Sequence, residues 1–281
     1  MKKLAKVAVA GVLLATSVCA FSGCDDDTIY IGVQSGTTGQ YFVDGDADWG
    51  FEGLSGYESK RYNNGALAVT DLKNGNVDYV IIDKAPAAEL AKSIKGIKVV
   101  DVDLTQEEYA FGVDKGNPQL LEDVNAILQS TAFEEKYASI VDAYANDEGI
   151  VPVTSAEIDL DNPDSQLVVA TNAAFPPFEY KVGNKFAGID MEIAAYLAEQ
   201  LGMELVIKHM DFEAVVTSVG RNGIDIAMAG LTVDETRKES VNFTVSYYDA
   251  AQVLITLSGD TNFDDCETAE DVVAKLEELA K

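Results

Sequence analysis

The chain has 281 residues, with 48 acidic against 20 basic side chains and a formal net charge of −28. That surface excludes nucleic acid as a partner and adhesion to anionic lipid by charge. Three cysteines, Cys19, Cys24 and Cys266, leave no disulfide framework, and the length admits either two lobes or one large domain. Lys2, Lys3 and Lys6 precede an apolar stretch that runs through small residues to Cys24, the pattern of an export signal rather than a spanning helix. Removing it as residues 1–23 makes the remainder more acidic still.

Next comes TIYIGVQSGTTG (28–39), an apolar run of strand length that stops at a Ser-Gly-Thr-Thr-Gly turn. Strand-like VDYVIID, helix-period APAAELAKSIK and strand-like IKVVDVDL follow in order, and this alternation predicts an α/β fold. Residues 117–145 predict helix without strand, and the acidic, turn-rich stretch 151–166 reads as a connector. The run LVVATNAAFPPFEY (167–180) is a buried strand that breaks into a loop of prolines and aromatics, and strand ends are where ligands bind in α/β sheets. Taken alone, Phe175 and Phe178 there fit a core role as well as a binding one. A helix is predicted over 190–201, with Met191, Ala194, Ala195, Ala198 and Leu201 on one face and Gly202 as its stop. The acidic tail 265–281 predicts an amphipathic helix through Val272, Val273, Leu276 and Leu279.

Phe21-Ser22-Gly23-Cys24 resembles the lipobox of bacterial lipoproteins, which implies acylation of Cys24 and a short tether over 24–27; ordinary cleavage near Ala20 is the alternative. The segments LVVATNAAFPPFEY, FAGIDMEIAAYLAEQLGM, MDFEAVVTSV, GIDIAMAGLTVDETRKESVNFTVSYYDA, IGVQSGTTG and VDYVIIDKAPA together resemble the extracellular amino-acid-binding proteins of ABC transporters. The resemblance implies a two-lobed periplasmic-binding-protein-like fold of type II, with two hinge strands and one amino acid held between the lobes. It implies no cofactor, no metal and no catalytic residue. A membrane permease is the implied partner, the protein is expected as a monomer, and the cell surface or periplasm is its implied location. The order of the segments departs from the family: 28–145 resembles its C-terminal half and 167–256 its N-terminal half, so the chain looks circularly permuted. The expected small lobe is 28–106 with 257–281, and the large lobe is 107–256, with hinge strands near 107–112 and 250–256.

A zwitterionic ligand needs a cation, an anion and hydrogen-bond donors around it. Arg237 in GLTVDETR matches the family's carboxylate-binding arginine, and a guanidinium can grip a carboxylate with two parallel bonds. Gly230 and Thr232 match positions that contact the ligand backbone. The SGTTG turn offers successive backbone N–H groups to the same carboxylate from the other lobe, with Thr38 on it and Gln34 facing the side-chain pocket. A phosphate loop is excluded there because no Gly-Lys-Ser/Thr follows. Asp83 matches the aspartate that pairs with the ligand ammonium. Phe175 and Phe212 match positions that pack around the ligand side chain, and Asn172 and Ile82 match positions that select it. Relatives selecting cationic side chains often carry a carboxylate where Asn172 stands, so a neutral, glutamine-like ligand is expected. A lyase and a ligand sensor on the same fold are the alternatives. His209 is expected to be structural, and Trp49 to be a small-lobe core or surface aromatic.

Overall fold

The computed structural model describes residues 28–159 and 161–281; the expected export signal and the expected lipid attachment at Cys24 lie outside them. The first half opens with β1 (Ile29–Gln34), α1 (Thr38–Asp44), β2 (Tyr57–Tyr62), α2 (Gly65–Asn74), β3 (Tyr79–Asp83), α3 (Lys84–Ser93) and β4 (Ile97–Val99). Of these helices α2 is capped at both ends: Asn64 Oδ1 accepts from Leu67 N at 3.1 Å at its head, and Gly75 closes it in the left-handed conformation. Two short strands then follow, β5 (Glu107–Tyr109) and β6 (Gly112–Asp114), and two helices, α4 (Pro118–Leu128) and α5 (Thr131–Asn146). The predicted helical stretch is thus two helices, divided at Ser130, whose hydroxyl accepts from Phe133 N and caps α5.

The second half contains β7 (Gln166–Thr171), β8 (Ala174–Phe175), β9 (Glu179–Val182), β10 (Lys185–Ala187), α6 (Ile189–Leu201), β11 (Glu204–His209), α7 (Phe212–Ser218), β12 (Ile226–Ala227), α8 (Glu235–Lys238) and β13 (Val241–Phe243). Last come β14 (Tyr248–Ala250), β15 (Gln252–Leu257) and α9 (Ala269–Leu279). The connector before β7 lies along this half: Val153 bridges Phe186, and Ala156 N donates to Leu205 O.

Two five-stranded sheets result, ordered β2-β1-β3-β15-β4 and β11-β7-β12-β6-β13. The order is the same in both: each has one antiparallel strand next to its last position, β15 in one sheet and β6 in the other. Those two strands cross from the opposite half of the chain. Between the sheets β5 and β14 pair antiparallel, Tyr109 opposite Tyr248, as a two-strand hinge. The molecule is therefore a two-lobed α/β protein of the type the resemblance implies. Helix α9 covers the first sheet with Val272 and Leu276, which are buried against Ile31, Val33 and Leu254, and Tyr57 donates its hydroxyl to Leu276 O at 2.8 Å. Its start is a reciprocal capping box between Thr268 and Asp271.

Candidate functional site

The site lies where the C-terminal ends of β1 and β3 on one lobe face the loops after β7 and β12 on the other. Gln34, Thr37, Thr38 and Asp83 line a closed cavity from the first lobe, and Phe175, Phe212, Gly230, Thr232 and Arg237 from the second. It encloses about 10 Å³, room for one water at most. An amino acid enters only if the lobes part, so this arrangement is a closed one.

Arg237 sits on α8, whose first turn is held by Asp234 Oδ1 accepting from Arg237 N at 2.9 Å. Its guanidinium is engaged on every edge. Nη1 donates to Thr232 O at 2.8 Å, Nη2 reaches across the cleft to Gly36 O at 3.0 Å, and Nε lies 3.4 Å from Asp234 Oδ2. The rings of Trp49 and Phe212 lie over it, with centroids 5.1 and 5.4 Å away. Gly230 is required beside it: its φ is +53°, and a Cβ there would meet Phe175 Cε1 at 3.0 Å and Tyr109 Cε2 at 3.2 Å.

The opposite charge is concentrated at the hinge. Asp83 Oδ1 accepts from Tyr109 Oη at 2.5 Å and from Gln252 Nε2 at 2.9 Å. Glu107, on β5, accepts on Oε2 from Thr38 Oγ1 at 2.7 Å and Thr232 Oγ1 at 2.5 Å, one hydroxyl from each lobe. Its Oε1 accepts from Thr105 Oγ1 at 2.5 Å and Gln252 Nε2 at 3.1 Å. Glu107, Tyr109 and Gln252 were not among the expected site residues. A polar residue opening an otherwise apolar strand, as Gln252 does in QVLITL, is the one signal that points to them.

At the other end Gln34 Nε2 donates across the cleft to Asn172 Oδ1 at 3.4 Å, and Asn172 Nδ2 donates to Met210 O at 2.8 Å. Gln34 Oε1 is buried without a hydrogen-bond partner. His209 braces the loop carrying Asn172: its Nδ1 accepts from Ala173 N at 3.0 Å, and burial lowers its pKa, which favours the neutral ring that can accept. Ile82 is a correction to the expected set. Side chains alternate along a strand, so with Asp83 facing the cleft Ile82 points the other way, packing over Gly65 of α2. Trp49 is neither core nor isolated surface, because it stacks on Tyr41 with centroids 4.7 Å apart and covers Arg237.

Burial, and then the Glu107 charge, push the Asp83 carboxyl up to about 7 from 3.8, against the hydrogen bonds from Tyr109 and Gln252. Desolvation alone raises Asp190 to about 7, opposed by bonds from Tyr247 and Gly230. Glu179, fully buried with neither carboxyl oxygen partnered, is held well above the usual carboxylate range by burial and by Asp190 and Asp83. Between the ordinary carboxylate value and about 7 the folded chain holds protons that the unfolded chain has released. Stability then falls as pH rises through that window. Denaturant unfolding at pH 5, 6, 7 and 8 without amino acids should show this decline, and Asp83→Asn should flatten it by up to roughly 1.4 kcal/mol per pH unit. An identical slope in the variant means that Asp83 is ionised throughout.

Residues 167–281 match the family described as bacterial extracellular solute-binding proteins, family 3. The arginine-binding extracellular protein ArtP of Bacillus subtilis is 34% identical over 91 residues, 32% of this chain and 36% of that one. A cyclohexadienyl dehydratase of Pseudomonas aeruginosa is 32% identical over 92 residues, 32% of this chain and 34% of the relative. Among solved structures, the arginine-bound domain 1 of TmArgBP is 26% identical, with a TM-score of 0.27, covering 43% of this chain and 99% of that one. The chain thus spans about a third of the length of the curated relatives it matches. The matched residues 167–281 carry Asn172, Phe175, Phe212, Gly230, Thr232 and Arg237, the second lobe's share of the cavity, and are similar to the bacterial extracellular solute-binding proteins, family 3.

Proposed function

We propose that the protein captures one amino acid between its lobes, as a monomer, and hands it to the membrane permease of an ABC importer. The observation that carries this reading is that Arg237 and Asp83, one from each lobe, line the same cavity. A carboxylate can replace the carbonyls of Thr232 and Gly36 on the guanidinium, and an ammonium can take its place beside Asp83 and Glu107. Thr38 and Thr232 stand between these two ends with a hydroxyl each. The side-chain end is formed by Gln34, Asn172, Phe175 and Phe212, which carry no charge, so a neutral polar side chain is the better fit. Gln34 Oε1 calls for an N–H, which a glutamine-like amide supplies.

The relatives named for arginine make a cationic side chain the rival ligand. It would bury a second positive charge beside amides alone, at a penalty of several kcal/mol. Calorimetry with glutamine, histidine, arginine and lysine should place glutamine first; arginine or lysine ahead of it overturns the neutral assignment. Arg237→Ala should abolish binding of all four, and Asn172→Asp should move the preference toward the cations. No chemistry is proposed on the bound amino acid, although one relative is named as a dehydratase. A protein that presents its closed lobes to a membrane receptor would use the same site, and uptake by the reconstituted permease separates transport from sensing.

The anchor belongs to the same reading. Among the described residues no helix is long and apolar enough to cross a membrane, and acylated Cys24 would hold the protein at the membrane surface. Cys24→Ala should move the protein from the membrane to the soluble fraction, and retention there would exclude the lipid. The chain order is read as a circular permutation of the family. Support comes from the family match starting only at residue 167 and from the shared strand order of the two sheets, each completed by a strand from the other half. A chain with Lys281 joined to Thr28 by a short linker and reopened near Asp159 should bind the same amino acid as the original order. Loss of binding in a folded variant counts against permutation.

A further inference from the structure

The loop between α1 and β2 does not run straight back to the sheet. It forms a small hairpin at Asp46 and Phe51, which exchange two backbone hydrogen bonds of 2.9 Å. Asp46 Oδ1 accepts from Asp48 N at 2.9 Å and Trp49 N at 3.3 Å, which fixes the tip. The base is pinched so tightly that a Cβ at Gly45, whose φ is +80°, would lie 2.8 Å from Glu52 O. Phe51 packs edge-on against Phe42, and Trp49 lies flat on Tyr41. The hairpin is thus tied to the first lobe on its inner side. Its outward contact is made to the other lobe, where the Trp49 ring covers one side of the Arg237 guanidinium while Phe212 of α7 lies 5.4 Å from it.

We propose that Trp49 is a positioning residue for Arg237 and that residues 45–53 form a lid whose closure holds the amino acid in, an inference that rests on the amino-acid-binding reading above. Three features support it. The guanidinium can receive a carboxylate only in its own plane, along the edges now turned to Thr232 O and Gly36 O, and rings on its faces hold that plane without covering those edges. Arg237 and Trp49 are on opposite lobes, so the stack exists only when the cleft is shut. The aromatic faces also keep water off a charge that is only 10% exposed, which strengthens its bond to any anion. Trp49 is not among the residues lining the cavity, so it acts on how long a ligand stays and not on which ligand is chosen.

Trp49 is the single tryptophan of the chain, so its emission reports this contact directly. Acrylamide quenching without any amino acid present should be weak in the wild type and rise severalfold in Arg237→Ala; equal quenching in the two overturns the contact. Stopped-flow exchange of L-glutamine, L-histidine and L-arginine then tests the lid. In Trp49→Ala the dissociation rate of the tightest of the three should rise roughly tenfold, with association and the ranking of the three unchanged, and Trp49→Phe should restore most of the loss. Unchanged dissociation, or a changed ranking, overturns the positioning role. If the wild type binds none of the three, the amino-acid reading fails along with the retention role. The quenching pair then decides alone whether the lid rests on the arginine.

Discussion

One carboxylate joins the two halves of the molecule. Glu107 sits on a hinge strand and receives a hydroxyl from each lobe, Thr38 from the first and Thr232 from the second, while Gln252 ties it to Asp83. A buried anion with four donors is stable where an isolated one is not. The donors come from both lobes only when the cleft is closed, so the hydrogen bonding of the hinge depends on the lobe positions. Opening the cleft separates Thr38 from Thr232, which is bridged to Tyr109 of the hinge strand, and uncovers Arg237 at the same time.

That coupling follows from the sheets. β15 continues from the hinge strand β14 directly into the first lobe, and β6 follows β5 after two residues into the second. Gln252, the first residue of β15, is therefore both a sheet residue and a ligand of the hinge carboxylates. The hinge pair β5–β14 thus runs within one or two residues into β15 and β6, each of which is paired on both sides in its own sheet.

The layered α/β organisation was legible because it is written in local periodicity: alternating runs for the strands, and a repeating apolar stripe for α6 and α9. That Arg237 and Asp83 line one cavity was legible only through the resemblance, since a strand-end aspartate and an arginine after a turn are ordinary surface residues in isolation. Ile82 failed for a local reason, the strict alternation of a strand, which allows only one of two neighbours to face the cleft. Trp49 and Glu107 failed for a different one. Their partners come from distant parts of the chain, and no pattern within a window of sequence records that Thr38, Thr232 and Gln252 meet on one carboxylate or that a hairpin tip rests on an arginine of the other lobe.

The exchange of strands has a consequence for how the chain is made. In the first sheet β4 is joined to the rest only through β15, and residues 252–257 leave the ribosome long after residues 97–99. The N-terminal half therefore waits, with one strand unpaired and its α9-covered face open, until synthesis is nearly finished. A chain in that condition is slow to commit to its final shape, because the contacts that complete the first sheet are also those most distant in sequence.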